Sequence, residues 1–310
     1  MILREEIEKY LQYCCFQKGL DSKTIRAYQG DLEQFADFLK EYDYVLSKQV
    51  LNTYVVSLQH KYRKKSVKRK LASVKSLFNY LVDEEVIEVN PFHMVKTRFK
   101  EEIILPKVIP RNKIEQLLNY LYQIASSKTI SDYKKKFIIR DIAVIEMLFA
   151  TGMRISELCS LQDSAFDIKN GVLCIRGKGA KERYLQIGNE KVLELLITYK
   201  QIFQKDIEKH GNFFVNRYGM PLSEQSARKM IHKHTQVIMG DMNVTPHMFR
   251  HSFATFLMEE DVNIRYIQKM LGHSSITTTQ IYTYVTVEKE KEILKMKHPR
   301  NKMCIENVKE

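Results

Sequence analysis

From Ile25 onward, apolar residues recur at steps of 3, 4, 3 and 4: Ile25, Tyr28, Leu32, Phe35 and Leu39. That spacing puts all five on one side of a helix with 3.6 residues per turn, and it excludes a strand, whose side chains alternate with period two. Asp21 or Ser22 can cap the start of this helix. The same rhythm appears on either side of it. Ile7, Leu11 and Cys14 or Cys15 mark an earlier helix, and Val50, Leu51, Tyr54, Val55 and Leu58 mark a later one that follows Ser47. Leu71, Val74, Phe78 and Leu81 mark a fourth, from about Ser66 to Leu81. No strand-like alternation interrupts them, so residues 1–90 are expected to form a four-helix domain.

The partner of such a domain is suggested by charge. The 310 residues carry 50 Lys and Arg against 37 Asp and Glu, a net +13, which favours a polyanion but does not separate DNA from RNA or an anionic membrane. Lys61 to Lys70 holds seven basic residues and no acid. A charge run is usually a solvated face. This one lies at the opening turns of a helix whose other side is core, where it can lie along a phosphate backbone. Arg63, Lys64, Lys65 and Lys68 are therefore expected to contact nucleic acid. The five cysteines are odd in number and form no C-x-x-C pair, so they read as reduced packing residues of a cytoplasmic protein. No uncharged apolar run reaches the length of a membrane span, and the N-terminus lacks a signal-peptide pattern.

Asn90-Pro91 ends the helical region, and three of the six prolines (Pro91, Pro106, Pro110) fall in residues 91–110, which read as an extended linker. Two basic domains joined this way could close around a duplex. Beyond the linker, residues 111–286 mix helices with one β-hairpin. Ile114, Leu117, Leu118 and Leu121 open a helix, and Phe137 to Ala150 form a strongly apolar one that ends at Thr151-Gly152. Arg154 then stands at the start of a short helix, with Glu157 one turn on, able to orient a neighbour. Residues 171–176 and 182–187 read as paired strands around Gly177-Lys178-Gly179-Ala180-Lys181. This loop is not a P-loop, because Gly179 stands where a Ser or Thr would bind magnesium. Lys178 can enter a site as a proton donor or remain an exposed loop lysine. Helices at about Glu190–Gln204, Glu224–Met239 and Val262–Leu271 follow, the last ended by Gly272.

Between the last two lies Thr245-Pro246-His247-Met248-Phe249-Arg250-His251. Thr245 can cap a helix here and Pro246 suits its first position. His247 and Arg250 share one face of the first turn, at the positive end of the helix dipole. A guanidinium, an imidazole and free backbone N–H groups suit an oxyanion such as a phosphate. His247 and His251 have the spacing of a zinc helix, but the acid of H-E-x-x-H is missing and Arg250 would repel a cation. No metal is expected, and His251 is expected to hydrogen-bond within the core.

Taken in order, Thr151-Gly152-Met153-Arg154-Ile155-Ser156-Glu157-Leu158, Gly177-Lys178-Gly179, His247-Met248-Phe249-Arg250-His251, Leu271-Gly272-His273-Ser274-Ser275 and Thr279-Gln280-Ile281-Tyr282 resemble the motifs of the tyrosine recombinase (phage integrase) family. The layout is closest to bacterial Xer-type recombinases. Lys18 to Tyr28 also resembles the start of that family's core-binding domain, so the likeness covers nearly the whole chain. Phe249 departs from the more usual leucine at a core-facing position. No additional arm-binding domain is expected before the helical one.

The resemblance implies a mainly α fold with a small β-hairpin or sheet: a SAM-like core-binding domain over 1–90, a catalytic recombinase domain over 111–286, and a tail helix in 287–310. In the tail, Ile293, Leu294 and Met296 are expected on one side. The family arrangement has the tail docking on a neighbouring protomer; the plainer reading folds it back on its own domain. The implied catalytic residues are Arg154, Lys178, His247, Arg250, His273 and Tyr282, with Tyr282 attacking DNA to form a 3′-phosphotyrosyl link and no cofactor required. Lys181 and Arg183 join the basic run as expected DNA contacts. The implied partner is double-stranded DNA with inverted-repeat core sites, bound by a homo- or hetero-tetramer in the cytoplasm and away from membranes. Chromosome dimer resolution and movement of a mobile element both remain open. So do a topoisomerase-like relaxase of type IB and a non-catalytic DNA-binding protein on the same fold.

Overall fold

The computed structural model describes residues 3–95, 107–176, 182–272 and 293–303. The chain divides into two compact units, Met1–Ile103 and Ile104–Glu310.

The first unit holds four helices: α1 (Leu3–Phe16), α2 (Ser22–Lys40), α3 (Lys48–Lys61) and α4 (Lys64–Asp83). Asp21 caps α2 by accepting from the Thr24 N–H, and Ser47 caps α3 by accepting from Val50. The apolar stripes meet in a core centred on Leu32, Phe35, Tyr54, Val74 and Phe78. Phe92 and Val95 belong to that core, and Pro91–Met94 is a 3-10 turn. The start of the expected linker is therefore anchored to the helical unit: the proline bends the chain, and a buried phenylalanine holds it down. Cys14 is buried as a packing residue, whereas Cys15 is exposed.

Helix α4 starts two residues earlier than the apolar stripe implies, so Lys64 and Lys65 lie in its first turn. Arg63, Lys64, Lys65, Lys68 and Arg69 are exposed, whereas Lys70 is buried. Lys70 donates to Asp31 on α2 at 2.9 Å, and Arg69 pairs with the same carboxylate. Asp31 is almost fully buried, so these two cations hold α4 against α2 while the others face outward.

The second unit is mainly helical: α5 (Arg111–Ser126), α6 (Asp132–Thr151), α7 (Ile155–Ser160), α8 (Glu190–His210), α9 (Glu224–Met239), α10 (Pro246–Glu259) and α11 (Ile264–Leu271). A three-stranded antiparallel sheet, β1 (Phe166–Asp167), β2 (Val172–Arg176) and β3 (Glu182–Gln186), has the order β1-β2-β3. The short β1 has no alternating pattern of its own and pairs Phe166 with Leu173. Helix α6 is the axis of this unit, buried along nearly its whole C-terminal half from Ile142 to Thr151. No helix among the described residues is long and apolar enough to cross a membrane.

In the tail, residues 293–297 are helical and Pro299–Lys302 form a 3-10 turn. This segment lies on its own domain, with Ile293 and Leu294 packed in one cluster with Phe253 and Leu257. Met296, expected beside them, is 60% exposed. The deepest anchors are polar. Arg300 donates to Glu146 on α6 at 2.9 Å, both almost wholly buried, and Tyr122 donates to the same carboxylate. His298 donates through Nε2 to the Phe149 carbonyl at 3.2 Å and accepts the Arg300 N–H on Nδ1.

Candidate active site

Helix α6 ends at Gly152, whose φ of +62° is a left-handed conformation. A Cβ there would stand 2.5 Å from a Phe253 ring carbon, so glycine is required twice over. The turn delivers Arg154 to the N-cap of α7, where the Glu157 carboxylate accepts from the Arg154 backbone N–H at 2.7 Å and from its guanidinium at 2.8 Å. Glu157 is buried and Arg154 is about one-third exposed, so the anion lies beneath and the guanidinium faces solvent.

Arg250 reaches the same place from α10. It is buried, and it donates to the carbonyls of Gly152 at 2.8 Å and Leu271 at 2.6 Å. Those carbonyls end α6 and α11, so one guanidinium pins the C-termini of two helices. Burial, with the nearby Arg154 charge, lowers the Arg250 pKa to about 10, which leaves it protonated at neutral pH. Its need for an anion is thereby raised.

His247 lies on the first turn of α10, after Pro246. Thr245 occupies the N-cap position without a side-chain cap bond, contrary to its expected role, and that turn is held instead by Pro246 and the Met248 N–H bond to the Thr245 carbonyl. The imidazole pKa is lowered by partial enclosure and by the neighbouring His251, Arg250, Arg228 and Arg154. A neutral ring can accept a proton. His251 is half-buried, and its expected core hydrogen bond is not found among the described residues.

The structure thus brings Arg154, from the start of α7, together with His247 and Arg250, from the first turns of α10. Lys178, Lys181, His273 and Tyr282 lie outside the described residues. Arg183, expected at the DNA surface, points inward: its guanidinium grips Glu157 with two bonds, at 2.9 and 2.8 Å. Glu157 is therefore shared between two arginines. Burial pushes its pKa up, but the bonds from Arg183 and Arg154 outweigh that and hold it below the usual carboxylate range. The motifs in the sequence also pass over α9. Its Arg228, Lys229, His232 and Lys233 are exposed, and Arg228 is close enough to depress His247. The signal was a basic polar face on an amphipathic helix just before the histidine motif.

This arrangement can hold the non-bridging oxygens of a phosphodiester between two fixed guanidinium groups, with a proton acceptor beside them. The chain matches the model of the phage integrase family over residues 107–289 and that of the phage integrase N-terminal SAM-like domain over residues 7–85. A tyrosine recombinase of Agathobacter rectalis is 49% identical over 300 residues, covering 96% of this chain and 97% of that protein. Tyrosine recombinase XerC of Thermodesulfovibrio yellowstonii is 32% identical over 305 residues, covering 96% of this chain and 97% of that protein. Among solved structures, the XerH site-specific recombinase bound to palindromic difH substrate shares the fold with a TM-score of 0.67 at 20% identity, over 94% of this chain and 83% of that one.

Proposed function

The chain belongs to the phage integrase family of tyrosine recombinases, site-specific enzymes that cut and rejoin DNA, and on that premise we propose how its residues divide the reaction. The observation that carries the reading is the convergence of Arg154, Arg250 and His247, with Arg250 buried and held by two backbone carbonyls. Tyr282 attacks a backbone phosphate. Its oxygen bonds to phosphorus, its proton passes to His247, and the bond from phosphorus to the 5′ oxygen breaks. Lys178 protonates that oxygen as it leaves as a 5′-hydroxyl. Arg154, Arg250 and His273 hold the charge that develops on the non-bridging oxygens. The 3′-phosphotyrosyl bond conserves the phosphodiester energy, so rejoining to a different 5′-hydroxyl needs neither nucleotide nor metal. Double-stranded DNA with inverted core sites is the substrate, bound by four protomers in the cytoplasm. The exposed cations of α4 and α9 contact its phosphates.

Sequencing DNA trapped covalently on the protein identifies the site, and a nicked duplex bearing it tests the chemistry in EDTA. The wild-type chain and Tyr284→Phe should form an SDS-resistant adduct; Tyr282→Phe should bind without forming one. A strict magnesium requirement, or an adduct with Tyr282→Phe, would overturn the assignment. Relaxation of plasmids that lack any site would instead support a topoisomerase.

A further inference from the structure

We infer that Arg183 is a positioning residue of this active site and the counter-charge that leaves Arg154 free to hold a phosphate. The inference rests on the role proposed for Arg154. Glu157 orients Arg154 with two hydrogen bonds, but a carboxylate at 2.8 Å also cancels the charge it orients. Arg154 and Glu157 alone sum to zero. Arg183 adds a third charge from β3, gripping both oxygens of Glu157 at 2.9 and 2.8 Å, and the group returns to +1. Its own side chain is 14% exposed, so it neutralises the carboxylate from the buried side while Arg154 faces outward.

A second contact extends the role. Arg183 Nε donates to the Met270 carbonyl at 3.3 Å, and Arg250 takes the next carbonyl, Leu271, at 2.6 Å. The last turn of α11, which leads directly to His273, is therefore held by two arginines from different elements. Gly272 permits this approach. Its φ is +64°, and a Cβ on it would lie 2.9 Å from the Arg183 Cδ. Arg183 also stands two residues after Lys181, at the foot of the hairpin that carries Lys178. One side chain links β3, α7 and the last turn of α11. A lysine in its place could supply charge but not the two-pronged grip.

The test is single-turnover cleavage of the nicked substrate, with half-site affinity measured alongside, for wild type, Arg183→Ala, Arg183→Lys, Glu157→Gln and the double variant Arg183→Ala/Glu157→Gln. Arg183→Ala should cleave on the order of 100-fold more slowly, with half-site affinity unchanged. Arg183→Lys should fall between it and wild type. The double variant should cleave roughly tenfold faster than Arg183→Ala, because the uncharged glutamine needs no counter-charge. A double variant no faster than Arg183→Ala would overturn the counter-charge role. Wild-type cleavage by Arg183→Ala at saturating DNA, with weakened half-site binding, would make Arg183 an ordinary phosphate contact. If Arg183→Ala loses half-site binding and its circular dichroism together, Arg183→Lys with and without Glu157→Gln carries the same comparison. No adduct from the wild-type chain would instead refute the cleavage reading itself.

Discussion

His247 is partly enclosed and shares its surroundings with His251, Arg250, Arg228 and Arg154, all of which disfavour its protonated form. Its pKa therefore lies below the ordinary value, and a proton acceptor stays available further into the acid range. Cleavage should depend on a neutral imidazole, so the rate falls as pH drops through the depressed pKa. The acid limb of the rate–pH profile is expected below about 6.5, the ordinary histidine value. Arg228 makes part of that shift and pairs with Glu224 on its own helix at 2.6 Å. Arg228→Ala removes a depressing cation, which raises the His247 pKa. The acid limb of Arg228→Ala should thus move to higher pH in single-turnover cleavage at saturating DNA. A limb that stays in place would mean that another group sets it.

Elements differ in how plainly they are written in the chain. The ends of α6 and α11 are legible because the signal is local: Gly152 and Gly272 each take the left-handed conformation that stops a helix. The four N-terminal helices are legible for the same reason. The partner of Glu157 is not, because Arg183 lies 26 residues away on a strand, where a lone arginine looks like any surface cation. The grip of Arg250 on Gly152 spans 98 residues and leaves no trace in spacing. The tail is the sharpest case. Its apolar residues suggest a weakly held helix, yet its anchor is the buried Arg300–Glu146 pair. Arg300→Ala would leave the buried Glu146 with the Tyr122 hydroxyl as its partner among the described residues, and should cost about 3–5 kcal/mol in denaturant unfolding. His298 adds a pH dependence. Burial lowers its pKa to about 4. Below about 6.5 the unfolded chain takes up a proton that the folded one resists until near 4, so stability falls across that window. His298→Gln should flatten the fall. An unchanged slope would place the acid sensitivity elsewhere. Removing residues 288–310 is accordingly expected to destabilise the catalytic unit.

Across the full chain, the net +13 is the dominant fact, and it acts through phosphates more than through bases. Binding should weaken steeply with salt as bound counterions are released. The first unit separates its cations by role. Lys70 and Arg69 pair with the buried Asp31, so replacing either confounds binding with folding. Lys64, Lys65 and Lys68 are exposed on the opening turns of α4. Each phosphate left without its lysine should take about 0.9 from the slope of log affinity against log salt, so replacing all three with Gln should reduce it by up to about 2.7. Phosphate contacts carry no base information, so the ranking of related sites should stay the same. An unchanged slope would leave this face merely solvated. A changed ranking would place at least one of these lysines against a base edge, in the groove instead of on the backbone.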